Sequence, residues 1–218
     1  MSNITKISTI ASISPFTLNK VAGYSLFAFL QKRIIDLTIG GSLLICCSPV
    51  MLYVIYRIKK ESKGPILFKQ SRIGLNGEPF YCYKFRSMHI QRENTTYYTQ
   101  DHDPRIFPFG LLMRKMRIDE LPQLWNVIKG EMHLVGPRAE WDILVHEYQK
   151  EIHGYHNRHN VRPGITGLAQ VLYPYGRGVK DARKKLKYDL IYINKWSLGL
   201  ELKIIWKTIK IVLAKKGV

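Results

Sequence analysis

The sequence predicts an α+β protein that is mostly helical and attached to a membrane. Three features predict this class: an apolar run over residues 34–56, short strands and turns over residues 64–90, and helical periodicity in most of the remaining chain. The chain has 218 residues, of which 46% are apolar. That content suits one folded domain with an appendage, or two small domains, and is too high for a disordered chain.

The apolar run reads IIDLTIGGSLLICCSPVMLYVIY and contains one charged residue, Asp36. A straight helix of that length spans about 35 Å, and the hydrocarbon core of a bilayer is about 30 Å thick. The direct interpretation is therefore a transmembrane helix. Ser48-Pro49 lies inside the run, however, and proline removes a backbone hydrogen bond and kinks or breaks a helix. The run also begins too late for a signal peptide, and no small-residue cleavage site follows it.

Basic residues flank the apolar run on both sides. Lys and Arg mark the cytoplasmic side of a membrane protein, so this symmetry favours a chain that keeps both ends of the run there. A helix broken at Ser48-Pro49 could enter the membrane and return to the same face. The residues alone leave open both this re-entrant path and a kinked transmembrane helix, which would put residues 57–218 opposite the N-terminus. The flanking residues are Lys6, Lys20, Lys32 and Arg33 before the run, and Arg57, Lys59, Lys60, Lys63, Lys69 and Arg72 after it.

A β-hairpin is predicted within residues 64–90. Gly74 and Asn76-Gly77 are turn signals, and the segment NGEPFYCYKF alternates like a strand. The polar residues 91–104 predict a loop, and residues 161–171 are turn-rich and then strand-like. Helical patterns cover residues 105–117, 119–129, 140–153, 179–195 and 198–215.

The last of these helices carries lysines on one face and apolar residues, including Trp206, on much of the remainder. A basic amphipathic helix with a tryptophan suits a membrane interface. A helix packed on the domain with a solvated lysine face explains the pattern equally well.

The charge balance indicates a polyanionic partner. Lys and Arg number 34 against 16 acidic residues, giving a net charge of +18. Such a balance is typical of proteins that meet nucleic acid, an anionic membrane surface or phosphorylated substrates. No nucleic-acid recognition motif or base-stacking arrangement of aromatic residues is present, so we expect no nucleic-acid partner. The three cysteines form neither a disulfide framework nor a zinc spacing, which favours a reducing, cytosol-facing location.

The adjacent carboxylates Asp119 and Glu120 have two interpretations. Acidic residues favour the first turn of a helix, aspartate is a good N-cap, and Pro122 fits there, so an ordinary helix start explains the pair. The neighbourhood is strongly basic, however, with Arg114 before the pair and Arg138 after it. These cations predict a phosphate site and would keep Asp119 ionised. An ionised carboxylate can attack phosphorus, so local chemistry permits phosphoryl transfer without requiring it.

Five segments in this order resemble the bacterial sugar transferases, the monotopic polyprenyl-phosphate phosphoglycosyl transferases. The resemblance runs from Lys32 to Val218 and covers nearly the whole chain. Each segment alone is weak, but the ordered set is highly specific. The segments are KRIIDLTIG with the following SP, GPILFKQSRIGLNGEPFYCYKFRSM, RIDELPQLWNVIKGEMHLVGPRAE, VRPGITGLAQV and KLKYDLIYINKWSLGLELKIIWKTIKIVL.

The resemblance implies transfer of a sugar-1-phosphate from a UDP-sugar to polyprenyl (undecaprenyl) phosphate, with release of UMP. Such reactions begin the assembly of exopolysaccharide, capsule, O-antigen and other glycoconjugates. By resemblance, Asp119 is the nucleophile that carries a covalent phosphosugar. Glu120 then acts as a base toward the acceptor or supports the metal, and Mg²⁺ is expected at both carboxylates.

The resemblance also implies a monotopic fold. The helix over residues 32–60 is then re-entrant and broken at Ser48-Pro49, with Lys32 and Arg33 as its anchor and Asp36 near the interface. Residues 1–31 form an N-terminal extension, partly interfacial, and residues 61–218 form the catalytic domain. Amphipathic interfacial helices and the small hairpin complete this fold. The implied location is the cytoplasmic face of the bacterial inner membrane.

Substrate-binding residues follow from the matched motifs. The segment GPRAE departs from the commoner Pro-Arg-Pro of the family, which leaves the geometry of the nucleotide loop open. A non-catalytic membrane scaffold remains an alternative, and the intact Asp119-Glu120 pair argues against it. The donor sugar, the role of residues 173–189 and the oligomeric state stay open; a homodimer is compatible with a membrane enzyme of this kind. The predicted substrate-binding residues are Lys84, Arg86, Arg114, Gln123, Pro137, Arg138 and Arg162.

Overall fold

A computed structural model describes residues 20–21, 24–90, 103–173, 176 and 178–214. Most of the predicted N-terminal extension and most of the predicted loop over residues 91–104 lie outside this part. The described chain is mostly helical, as predicted, with three two-stranded sheets. The helices are α1 Leu26–Ile35, α2 Gly41–Glu61, α3 Pro108–Lys115, α4 Gln123–Lys129, α5 Asp142–Glu151, α6 Leu168–Leu172, α7 Val179–Asn194 and α8 Leu198–Leu213, and the strands are β1 Lys20–Val21, β2 Tyr24–Ser25, β3 Leu67–Ile73, β4 Pro79–Phe85, β5 His133–Val135 and β6 Gly164–Thr166.

A long apolar helix occupies the N-terminal part of the fold. α1 continues through a π-helical turn, Asp36–Gly40, into α2. The helical run Leu26–Glu61 has 36 residues and is, by length and composition, able to cross a membrane. Helical structure continues across Pro49, so the predicted break does not end the helix, and the re-entrant path stays a prediction.

The Ser48 hydroxyl compensates locally for Pro49. Pro49 has no N–H, so the carbonyl of Ile45 loses its normal helical donor. The hydroxyl of Ser48 donates to this carbonyl at 2.7 Å. The serine thereby satisfies the acceptor that the proline leaves unpaired, which matters most where no water reaches the backbone.

Both arms of this helix pack on the same domain. In the first arm, residues 26–40, Ala28 and Gly40 are buried. In the second arm, residues 51–61, Val54 and Ile58 are buried in a cluster with residues of β4 and α3. Between the arms, residues 41–50 include no buried residue. The domain therefore buries the helix at two places, separated by a stretch of about 15 Å in which Leu44 is only partly buried.

Charged residues of the first arm dock the helix and do not face the membrane interface. We expected Lys32 and Asp36 at the interface, but both are completely buried. The ammonium of Lys32 donates to Glu201 of α8 at 2.6 Å, and Asp36 accepts from the backbone N–H of Leu134 at 2.8 Å. Arg33 donates to two carbonyls at the end of α4. Each of these charged side chains is hydrogen-bonded to the domain, as a buried charge must be.

The predicted hairpin is confirmed. β3 and β4 pair antiparallel, with Gln70 opposite Cys82 in the middle of the register. At its tip, Asn76 has φ 56° and Gly77 has φ 82°. Asn and Gly adopt this left-handed region most readily, so the turn signal was interpreted correctly.

Two sequence predictions about local structure are wrong. The helix expected from Asp119 begins at Gln123, and Ile118–Glu120 form a separate 3₁₀ turn. The expected strand after the turn-rich residues 161–171 is limited to β6, and α6 follows it. β6 is short because it pairs in parallel with β5 only at its ends, His133 with Gly164 and Val135 with Thr166.

The C-terminal helix combines the two alternatives left open by the sequence. One face of α8 is packed in the domain through Glu201 and Ile204. A second face is apolar and exposed, with lysines beside it, so the helix is docked and still presents an apolar stripe. This stripe consists of Leu198, Leu202, Trp206, Ile209 and Leu213.

Candidate active site

The Asp119-Glu120 pair lies in the 3₁₀ turn between α3 and α4. Arg117 precedes the turn with φ 59°, a left-handed conformation that redirects the chain. Backbone N–H groups of Glu120 and Leu121 then donate to Arg117 and Ile118 at 3.2 Å. The turn leaves both carboxylates almost completely buried. Asp119 is therefore not an N-cap, and α4 has no side-chain cap.

Glu120 is surrounded by cations from three parts of the fold. The ammonium of Lys84 on β4 donates to Oε1 at 2.7 Å, and Arg138 donates to the same oxygen at 3.1 Å. Arg117 lies 3.7 Å from Oε2. Burial alone would raise the pKa of Glu120, but these cations, Lys84 foremost, hold it well below the ordinary value. Glu120 is therefore ionised and holds the cationic side chains around it in place. Its low pKa makes it a weak base.

Asp119 has the opposite electrostatic character. Within the described residues, no hydrogen bond or ion pair ends on its carboxylate. Burial raises the pKa of Asp119, the charge of Glu120 raises it further, and Lys84 and Arg114 oppose both effects. The nearby cations do lower this pKa, as expected, but burial outweighs them, so the net shift is upward. Asp119 is thus an unpaired, desolvated carboxyl group, which suits a nucleophile.

Both carboxylates open into a large cleft of about 1060 Å³. Its lining combines charged side chains around the pair with apolar side chains such as Phe68, Trp141 and Leu172. Such a combination suits a ligand with anionic and apolar parts. The charged residues that line it are Lys69, Arg72, Lys84, Arg86, Arg105, Arg114, Arg117, Asp119, Glu120, Arg138, Glu140, Arg158, Lys185 and Asp189.

Three predicted substrate-binding residues meet at the carboxylate pair. Lys84 and Arg138 contact Glu120 directly, and Arg114, in the last turn of α3, lines the cleft beside Asp119. Lys84 and Arg138 are far apart in sequence. Lys84 lies on β4 and Arg138 in the segment after β5, and the fold brings both segments to the turn that carries Glu120. These residues supply the positive charge that an anionic diphosphate requires.

Arg86 is held mainly by the end of α2. Its guanidinium donates to the carbonyl of Pro65 at 2.6 Å, to the hydroxyl of Ser62 at 2.6 Å and to the carbonyl of Ser62 at 2.8 Å. It also lines the cleft. With its donors used in this way, Arg86 ties the membrane helix to the hairpin.

The remaining predicted residues do not line the cleft. Gln123 borders a small second pocket that Lys84 and Arg138 also line. Pro137 is buried, and its carbonyl accepts from the backbone N–H of Gly164 at 2.9 Å. Arg162 lies on the helix side of the domain, with its guanidinium 5.3 Å from the ring of Phe29 in α1.

Three functional candidates were missed in the sequence. Arg158 and Asp189 form a buried ion pair with a separation of 2.8 Å, and both line the cleft. Arg72 donates to the carbonyl of Ala139. The one signal in the sequence was the charge of Asp189 within the largely apolar face of α7.

The residues fit an Mg²⁺ ion in part. Asp119 offers an unpaired carboxylate, whereas Glu120 is engaged by Lys84 and Arg138. Within the described residues, no group of three His, Cys, Asp or Glu side chains is placed to hold a metal. Mg²⁺ needs only one or two carboxylates when substrate phosphates and water complete its shell, so Asp119 is the better candidate ligand.

The structure thus has a buried acidic pair in a cationic cleft, on a domain docked to an apolar helix that is long enough to cross a membrane. The chain belongs to the bacterial sugar transferase family, whose profile matches residues 27–215. The predicted resemblance is therefore confirmed.

Several curated relatives are about 40% identical to this chain. One is a UDP-N-acetylgalactosamine-undecaprenyl-phosphate N-acetylgalactosaminephosphotransferase of Aeromonas hydrophila, 42% identical over 88% of this chain and 45% of its own length. Another is a UDP-glucose:undecaprenyl-phosphate glucose-1-phosphate transferase of Klebsiella pneumoniae, 40% identical over 82% of this chain and 39% of its own length. The uncharacterized sugar transferase EpsL of Bacillus subtilis is 42% identical over 86% of this chain and 89% of its own length. The chain thus spans less than half the length of the first two.

Proposed function

We propose that this chain is a phosphoglycosyl transferase that moves a sugar-1-phosphate from a UDP-sugar to polyprenyl phosphate and releases UMP. One observation carries the proposal: Asp119 is a buried, unpaired carboxyl beside a cation-held Glu120, at the wall of a cleft rich in basic groups. The names of the relatives support the same donor and acceptor classes.

The reaction proceeds in two displacements. The ionised Asp119 attacks the phosphorus that bears the sugar, an acyl-phosphate bond forms, and the bond from that phosphorus to the UMP oxygen breaks. A phosphate oxygen of the acceptor then attacks the same phosphorus and displaces the Asp119 carboxylate. The products are polyprenyl diphosphate sugar and a regenerated enzyme, so atoms and charge balance.

Glu120 holds Lys84 and Arg138 in position for the diphosphate. Its low pKa makes it a poor base, and an acceptor phosphate already carries the negative oxygen that attacks. Arg114 and Arg138 are the best candidates to contact the phosphates of the donor. A bound Mg²⁺, with Asp119 as ligand, would supply further neutralisation of the diphosphate charge.

The same proposal places the domain on the cytoplasmic face of the bacterial inner membrane. Both arms of the apolar helix pack on one domain, and the stretch between them, about 15 Å long without a fully buried residue, is half of the about 30 Å hydrocarbon core. This supports a shallow, re-entrant path with residues 61–218 on the same side as residues 1–31. The exposed stripe of α8, with its lysines, suits the lipid interface. A homodimer stays a prediction.

The test is UMP release by the purified protein with Mg²⁺, polyprenyl phosphate and a panel of UDP-sugars. We expect turnover with at least one donor, and loss of at least about 1000-fold in Asp119→Asn. Glu147→Gln, which neutralises an exposed carboxylate on α5, is the matched control and keeps wild-type activity. Absence of UMP release with every donor contradicts the proposed function, and full activity in Asp119→Asn contradicts the nucleophile.

A further inference from the structure

The segment that presents Arg138 is held by an unbroken row of carbonyl contacts. The carbonyl of Pro137 accepts from the N–H of Gly164 at 2.9 Å, and that of Glu140 accepts from the N–H of Ile73 at 3.1 Å. Between them, the carbonyl of Arg138 accepts from Arg158 at 2.8 Å. Arg72 donates to the carbonyl of Ala139. Every residue from 137 to 140 is therefore anchored through its main chain.

Arg158 is itself fixed from two other directions. Its Nε donates to Asp189 on α7 at 2.9 Å, and Nη1 donates to the hydroxyl of Tyr155 at 3.1 Å. Arg158 and Asp189 are both buried. Burying an ion pair costs about as much as its attraction returns, so it adds little stability compared with apolar residues of the same volume. What the pair does provide is a defined direction for Nη2, which lies 2.8 Å from Asp189 Oδ2 and also donates to the Arg138 carbonyl.

We propose that Arg158 and Asp189 are positioning residues for catalysis, which hold the main chain of Arg138 so that its guanidinium reaches Glu120 and the donor phosphates. The inference rests on the proposed function. Arg158 touches neither Asp119 nor Glu120 and acts through Arg138. The guanidinium of Arg158 contacts Asp189 and the Arg138 carbonyl at the same time. A lysine ammonium at this position lacks the planar set of donors that both contacts need.

The first test uses Arg158→Lys and Asp189→Asn, which keep most of the volume at each position. A misplacement of Arg138 by about 1 Å predicts a fall in kcat/KM for UMP release of about 10- to 100-fold. Arg183→Lys is the matched control, because Arg183 on α7 also donates to a main-chain carbonyl, that of Glu151, but at an exposed position. The control is expected to keep wild-type kcat/KM.

The split between KM and kcat separates positioning from a loss of folded protein. A loss of folded protein lowers kcat in proportion to the inactive fraction and leaves KM unchanged. Displacing the Arg138 guanidinium changes the folded enzyme itself, so we expect KM for the UDP-sugar to rise in Arg158→Lys.

A readout without activity keeps the inference separate from the proposed function. Hydrogen exchange of the peptide covering residues 136–141 should be faster in both variants and unchanged in Arg183→Lys. If the wild type releases no UMP, the proposed function fails and this exchange alone decides whether Arg158 holds the segment. Unchanged exchange in both variants overturns the inference. So does a KM for the UDP-sugar that stays at the wild-type value, or a fall in activity that only follows the fraction of unfolded protein.

Discussion

Lys84 and Glu120 join β4 to the 3₁₀ turn Ile118–Glu120 through a contact of 2.7 Å between Nζ and Oε1. The contact is mostly buried, and it accounts for much of the low pKa of Glu120. Removing the ammonium leaves a buried carboxylate short of one partner. It also removes a cation that faces Asp119 and the cleft.

Lys84→Met is therefore expected to lower kcat/KM for UMP release by about 100-fold or more, as the loss of a preorganised charge does in other sites. Unfolding should also become easier by about 1–3 kcal/mol, the cost of an unsatisfied buried group. Lys150→Met, on the exposed face of α5, is the control for loss of one lysine. Equal rates in Lys84→Met and the control would show that the cleft does not use this charge.

The raised pKa of Asp119 predicts how the first displacement depends on pH. The nucleophile must be ionised, so the rate of a single turnover of UMP release falls as the pH drops through the pKa of Asp119. Because burial and Glu120 raise this pKa, the fall begins above the range of an ordinary aspartate, about 3.9. Stopped-flow measurement across pH locates the limb.

The variant Glu120→Gln tests whether this acid limb belongs to Asp119. The substitution removes the negative charge that raises the Asp119 pKa, so the acid limb should move to lower pH even if the maximal rate falls. A limb that moves upward, or that persists unchanged in Glu120→Gln, is incompatible with the coupling between the two carboxylates.

The Ser48 hydroxyl and Pro49 predict a double-mutant cycle. In the wild-type helix, Ser48 donates to the Ile45 carbonyl that Pro49 leaves free. Ser48→Ala should lower thermal stability in detergent by the equivalent of about 1 kcal/mol. In a Pro49→Ala background the backbone N–H is restored, so the same change should cost much less.

Ser42→Ala is the matched control on α2, because Ser42 is exposed and no hydrogen bond of its hydroxyl is found among the described residues. It is expected to behave as the wild type in both backgrounds. Equal losses from Ser48→Ala with and without Pro49 would mean that the hydroxyl does not compensate for the proline.

The Lys32–Glu201 pair predicts that docking of the apolar helix depends on a buried charge. Both side chains are completely buried, and Glu201 also accepts from Tyr192 and Trp196 at 2.8 Å. Lys32→Met leaves Glu201 buried without its cation and should destabilise the folded state by about 3–5 kcal/mol. Lys203→Met, exposed on α8, should change the melting temperature little. Similar melting temperatures for both variants would contradict a docking role for the pair.

The hairpin and most helices could be predicted from the sequence because their signals are local. Asn76-Gly77 carries its turn geometry in two residues, and the periodicity of α7 and α8 spans whole helices. The start of α4 was misplaced because Asp119-Glu120 also fits a helix start by composition. Arg117 separates α3 from the 3₁₀ turn through its left-handed backbone conformation. Arginine has no preference for that conformation, so the sequence does not predict it.

The candidate site was predictable only as far as its motifs reached. The motifs singled out Asp119, Glu120, Lys84 and Arg138, which the structure brings together, but they could not show that burial would outweigh the cations around Asp119. The contact of Arg158 with Asp189 joins residues 31 apart in sequence, and its contact with Arg138 joins residues 20 apart. Lys32 was assigned to the membrane interface because a lysine next to an apolar run usually lies there. Its partner Glu201 is 169 residues away, beyond any local pattern.

The central claim is that Asp119 carries the phosphosugar, and trapping that intermediate tests it most directly. The wild-type protein is mixed with a UDP-sugar that supports turnover, in the absence of polyprenyl phosphate, and quenched rapidly. We predict a burst of UMP equal to the amount of active enzyme, a mass increase of one sugar phosphate on the peptide containing Asp119, and loss of that mass when the acceptor is added. A wild-type enzyme that turns over yet shows neither burst nor modified peptide, or one modified at another residue, would contradict the account.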